Sequence, residues 1–175
     1  MPFVIAALGA IAAAYFWANR ARNAAYIADD MIDIAQTALG AARRFNFRRK
    51  ANTHPIDCID DSKIAVGALA VAFLELGGLP TVEDKATMKV ALRSGLRVSE
   101  DDAEELSVLG SWMIQQCKGA DAAFTRLARR LRKLTSASGL DDLMPVLTHI
   151  VNNLPGALTA RQQDALSDLD RIFRN

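Results

Sequence analysis

The sequence predicts an all-α protein in three parts: a single N-terminal transmembrane helix, a basic helical neck, and a six-helix bundle. Three observations carry that expectation. Apolar residues recur at spacings of three and four through six successive segments between residues 62 and 174, with no strand-like alternation. Several of these segments start at Ser or Thr caps and stop at Gly or Pro. The first nineteen residues carry no charged side chain. A chain of 175 residues holds one domain with a real core plus a further segment or two. The expected boundaries are 1–19 for the anchor, 20–61 for the neck and linker, and 62–175 for the bundle.

Phe3, Val4 and Ile5 open an apolar run that continues through Leu8 and Ile11 to Tyr15, Phe16 and Trp17. Seventeen residues, Pro2 to Ala18, make a helix of about 26 Å, close to the ~30 Å hydrocarbon core of a bilayer. The three aromatics collect at one end, where amphipathic rings favour the membrane–water interface. Arg20 and Arg22 follow directly, and no Lys or Arg precedes the run. A cleaved signal peptide would carry its basic residues before the apolar stretch. A buried core helix would not normally end in an aromatic belt followed by arginines. Both stand as rivals to the anchor. Because positive residues stay cytoplasmic, the expected arrangement is a single pass of the inner (cytoplasmic) membrane, with the N-terminus outside and the bundle in the cytoplasm.

The neck reads as a helix from Asn23 to Phe45, with Ile27, Met31, Ile34 and Ala38 at helical spacing. It ends in Arg43, Arg44, Arg48, Arg49 and Lys50, interleaved with Phe45 and Phe47. Beside a bilayer, each such cation contributes about 1 kcal/mol of attraction to anionic headgroups, and the two rings are placed to dip into the interface. Plain topogenic charge is the rival account, and single-stranded nucleic acid a more distant one. Residues 51–55, Ala-Asn-Thr-His-Pro, break the helix and read as a linker.

In the bundle, the first helix is Lys63 to Leu76, apolar nearly all round, which marks a central buried element. Gly77-Gly78 stops it. Thr81 with Asp84 has the spacing of a capping box, and Met88, Leu92 and Leu96 form the stripe of the second helix. Ser99 with Asp102 repeats the device for the third, whose stripe is Leu106, Leu109 and Met113. The fourth spans about Asp121 to Leu134. Phe124, Leu127, Leu131 and Leu134 form its apolar face, and Arg126, Arg129, Arg130, Arg132 and Lys133 fill the rest. The fifth carries Leu143, Leu147, Ile150, Val151 and Leu154 and stops at Pro155-Gly156. Thr159 with Gln162 caps the sixth, with Leu166, Leu169, Ile172 and Phe173 as its stripe. The order apolar helix, Gly turn, Thr cap, amphipathic helix occurs at 66–92 and again at 146–173. That echo suggests two helix-turn-helix halves.

The stretch from Phe73 to Lys85, Phe-Leu-Glu-Leu-Gly-Gly-Leu-Pro-Thr-Val-Glu-Asp-Lys, resembles the signature of the TerB-like (tellurite-resistance) helical domain, and Ser99-Glu-Asp-Asp-Ala-Glu-Glu-Leu resembles an acidic helix start of that family. The likeness covers residues 62–174. It implies an all-helical domain in a membrane-anchored variant, a setting in envelope or tellurite and metal stress, and an acidic turn that holds a divalent metal. On this chain the family's turn aspartate falls on Gly77 in the first half and on Pro155 in the second. Glu75, Glu83 and Asp84 remain near the first turn as candidate metal ligands, fewer than the six to eight oxygens that Ca²⁺ takes. A helix cap with dipole-favoured acids is the rival account. Similar domains follow an N-terminal anchor in DnaJ-like co-chaperones, but His54-Pro55-Ile56 lacks the aspartate of the J-domain motif, so that activity does not carry over.

Composition narrows the function further. The net charge of +1 gives no global field to recruit nucleic acid. Two cysteines, Cys58 and Cys117, without CxxC or metal spacing, suggest a reducing compartment. No phosphate loop, nucleophile elbow or metal-type His/Cys pattern occurs. His54 and His149 have no Cys, Ser or Asp in a recognisable catalytic order. The expectation is a non-enzyme without a cofactor: an anchored interaction or scaffold module that meets a protein partner and the membrane, with no nucleic acid. Arg126, Arg129, Arg130, Arg132 and Lys133 are its candidate partner surface. The acidic run Glu100 to Glu105 is a second candidate surface, against the plain reading of a helix cap. A divalent-metal sensor is the alternative function.

Overall fold

A computed structural model describes Phe45, Phe47, Arg48 and residues 51–174, all within one compact unit, Thr37–Asn175. The anchor residues from Phe3 to Trp17, together with Arg20, Arg22, Arg43, Arg44, Arg49 and Lys50, lie outside the described residues. Among the described residues, no helix is long and apolar enough to cross a membrane.

The described residues are all-helical. The six α-helices are α1 (Ser62–Leu76), α2 (Val82–Leu96), α3 (Glu100–Gln116), α4 (Ala120–Thr135), α5 (Gly139–Asn153) and α6 (Ala160–Arg174). Two 3-10 turns, Pro55–Cys58 and Ser136–Ser138, accompany them. Each of the six helices expected of the bundle is present, while the expected neck helix, Asn23 to Phe45, lies outside the described residues except for Phe45.

α1 is the hub, with twelve of its fifteen residues buried. Asp61 caps it, accepting the Lys63 N–H at 2.8 Å. α3 and α4 pack most extensively on it, α2 pairs with α5, and α6 lies along α4. Small residues set how closely the helices approach. A Cβ on Gly110 of α3 would sit 2.9 Å from the Ala68 Cα of α1, and one on Gly67 would sit 3.0 Å from the Leu106 Cβ. The backbones of α1 and α3 therefore nearly touch. α2 and α5 use the same device, since a Cβ on Gly95 would meet Val146 Cγ2 at 2.5 Å. Phe73 of α1 and Phe124 of α4 close the centre, with ring centroids 6.4 Å apart.

Helix starts follow the sequence. Thr81 and Asp84 satisfy each other's backbone N–H groups in a capping box, and Ser99 and Asp102 do the same. Thr159 and Gln162 repeat the exchange, at 3.1 Å and 3.3 Å.

Two features depart from expectation. Residues 51–61 are not a free linker. Pro55, Ile56, Cys58 and Ile59 are buried, because the 3-10 turn packs on α3 and α4, so the domain's core begins before residue 62. Phe47 is not set for a bilayer interface. It is 9% exposed and meets Trp112 of α3 edge to face, with centroids 6.3 Å apart, and Phe45 also packs against the core. Pro145 lies inside α5, as the fifth helix's span implies; it is exposed, so the Asp141 carbonyl that loses its helical donor has access to water.

Candidate functional site

α4 is the most amphipathic element in chemical terms. Ala123, Phe124, Leu127, Ala128 and Leu131 are buried on one side. Arg126, Arg129, Arg130 and Lys133 follow at spacings of three and four and form a stripe on the other. A helix rises about 1.5 Å per residue, so the stripe is about 10 Å long.

The fold fixes several of these cations. The Arg126 guanidinium makes a two-toothed pair with Asp57, its Nε donating to Oδ1 at 3.2 Å and its Nη2 to Oδ2. Arg130 donates through Nε to the Ile59 carbonyl at 2.7 Å and again through Nη2. Arg132 donates to the Ile172 carbonyl of α6. Arg129 and Lys133 are exposed and make no ion pair or hydrogen bond among the described residues. Two shallow grooves flank Arg129. One is lined by Asp57, Thr125, Arg126, Arg130 and Lys133, the other by Thr125, Arg132, Arg171 and Ile172. Arg171, which the sequence did not single out, is thus drawn beside the expected surface.

The charge is segregated. Five cations sit within eight residues of α4, 126–133, a stretch that carries no Asp or Glu. The Arg126 fork holds the Asp57 carboxyl below its usual range, against a partial desolvation that pushes it up. The acidic run does not neutralise the stripe. Glu104 pairs with Lys89 at 2.6 Å and Glu100 with Arg93 at 3.3 Å, both across the α2–α3 junction, and Asp102 caps α3.

The two echoed turns converge. Residues 77–80 and 154–159 line opposite sides of one cleft, with Leu74, Asp84 and Gln162. Gln162 is 3% exposed and donates to the Phe73 carbonyl at 3.2 Å, while the Thr159 hydroxyl donates to the Leu76 carbonyl at 3.2 Å. These bonds satisfy carbonyls that the end of α1 leaves without helical partners. Of the three candidate metal ligands, Asp84 alone lines the cleft, and its Oδ2 already accepts the Thr81 N–H at 2.9 Å. Glu83 is exposed. Glu75 is half-buried, and burial raises its carboxyl above the usual range despite Lys85. Among the described residues, no group of three or more His, Cys, Asp or Glu side chains is placed to hold a metal ion.

The structure also brings together two residues that no sequence order linked. Cys117 Sγ lies 3.6 Å from His54 Nε2. His54 Nδ1 accepts the Ile56 N–H at 3.3 Å, which places the neutral ring's proton on Nε2, pointing at sulfur. In that tautomer the imidazole cannot take the thiol proton, and burial raises the Cys117 thiol above its usual range. The pair therefore lacks the arrangement of a base-activated nucleophile. It ties the turn to the end of α3.

No family model, curated protein or solved structure matches the chain.

Proposed function

We propose that this chain is a membrane-anchored helical interaction module that presents the cationic face of α4 to an anionic partner. The observation that carries the reading is the charge segregation: Arg126, Arg129, Arg130, Arg132 and Lys133 lie within eight residues of α4 with no acid among them, and Arg129 and Lys133 are exposed. The anchoring half rests on the uncharged run from Phe3 to Trp17 and the arginines that follow it. The stress setting rests on the resemblance of the helix-cap motifs.

Two measurements test the proposal. Deleting residues 1–22 moves the protein from the membrane fraction to the soluble one with its helical circular dichroism intact; a full-length chain that stays in the supernatant removes the anchor. Arg129→Glu with Lys133→Glu abolishes retention of the anionic component, phospholipid or acidic protein, that the wild-type chain carries from solubilised membranes; unchanged retention of every anionic component removes the α4 face. The metal-sensor alternative, through Glu75, Glu83 and Asp84, predicts heat and a raised Tm when Ca²⁺, Mg²⁺ or Zn²⁺ is added to the chain.

A further inference from the structure

We infer that the anionic partner of the α4 face is the bilayer surface itself, so that tether and face together hold the domain in one orientation. This rests on the anchored reading above and names the occupant of the face.

Two independent observations point to lipid headgroups. The first is the chemistry of the face. Protein interfaces gather their binding energy at buried aromatic and aliphatic anchors, with charge depleted at the centre. The α4 stripe has no aromatic residue, and Ile172 is the one large aliphatic side chain in the grooves around Arg129, which are otherwise lined mainly by Thr125, Arg126, Arg130, Lys133 and Arg171, with Asp57 held by Arg126. Cations spread over a shallow surface fit an array of phosphate groups better than a shaped partner. Each exposed cation near an anionic leaflet contributes about 1 kcal/mol of attraction, and Arg129 and Lys133 have no protein anion to satisfy them among the described residues.

The second is where the chain enters the fold. Phe47 docks on Trp112, His54 on Cys117, Asp57 on Arg126 and Ile59 on Arg130. Phe47 and residues 54–59 are therefore held against α3 and α4, beside the stripe, and Arg48 is exposed. On the anchored reading, the chain reaches the described domain on the side that carries the stripe.

The test uses the full chain in nanodiscs of phosphatidylcholine, with and without phosphatidylglycerol, and reads lysine acetylation by mass spectrometry. Lys133 is expected to be acetylated several-fold more slowly in the anionic discs, with the protection lost at high salt. Lys85 of α2 serves as the control and is expected to react equally in both. Arg129→Glu, a change at an exposed residue, reduces the protection of Lys133. Equal acetylation of Lys133 in both kinds of disc, from discs that carry the chain, overturns the inference and leaves the face to an acidic protein. A chain that enters neither kind of disc overturns the anchored reading, and this inference with it.

Discussion

At the scale of single residues, Gln162 and Gly77 form one unit. Gln162 is a polar side chain within the fold, and its amide is spent on the Phe73 carbonyl and the Thr159 cap. A Cβ on Gly77 would come 2.8 Å from Gln162 Nε2. Gly77→Ala must therefore displace that amide from a buried bond, at a cost of about 1–3 kcal/mol. The expected drop in Tm is on the order of 5 °C; an unchanged melting curve would show that the cleft can relax around a methyl group. Asp57 supports a prediction with a pH signature. Its pKa is depressed by Arg126, so the pair contributes stability above the ordinary carboxylate range and loses it as pH falls through the lowered value. The side chains are 44% and 43% exposed, which limits the pair to under about 1 kcal/mol. Asp57→Asn is expected to lower Tm by about 2 °C at neutral pH, with the gap to wild type closing in acid. Equal melting at neutral pH would mean that the turn is held by burial alone. The sequence did not announce these residues. Gln162 was legible as a cap but not as a buried group, and Asp57 looked like a linker residue because its partner is 69 positions away.

At the scale of elements, far more was legible. α1 is apolar all round in sequence and buried all round in structure, and its Ala and Gly content is what lets α3 come close. The caps at Thr81, Ser99 and Thr159 were readable because both partners lie within three residues. The 3-10 turn was missed even though Ile56, Cys58 and Ile59 put three apolar side chains into a supposed linker, and that pattern was the available signal. Two substitutions test the packing. Gly110→Val drives a branched side chain into the α1 backbone, with an expected loss of about 1–3 kcal/mol, or more if α3 cannot shift. Leu127→Asp places a carboxylate where the native side chain is 0% exposed and should unfold the bundle, since an unpaired buried charge costs several kcal/mol. A folded Leu127→Asp variant, seen by thermal melting, would mean that α4 presents a different side to the core.

At the scale of the whole molecule, the basic face was legible as a list of residues but not as a surface. Periodicity placed Arg126, Arg129, Arg130 and Lys133 together, yet only the fold separates those tied to Asp57 and Ile59 from Arg129 and Lys133. The echoed turns were likewise visible as a repeat, while their meeting in one cleft follows from the packing of α1 against α5 and α6. The fixing of residues 54–59 against α3 and α4 has a mechanical consequence. Tension pulled through the N-terminal segment arrives in the middle of the helical stack, where Ile56 and Ile59 are 0% exposed, rather than at a frayed terminus. A pull on that segment must draw Ile56 and Ile59 out of the core before it reaches the first turn of α1.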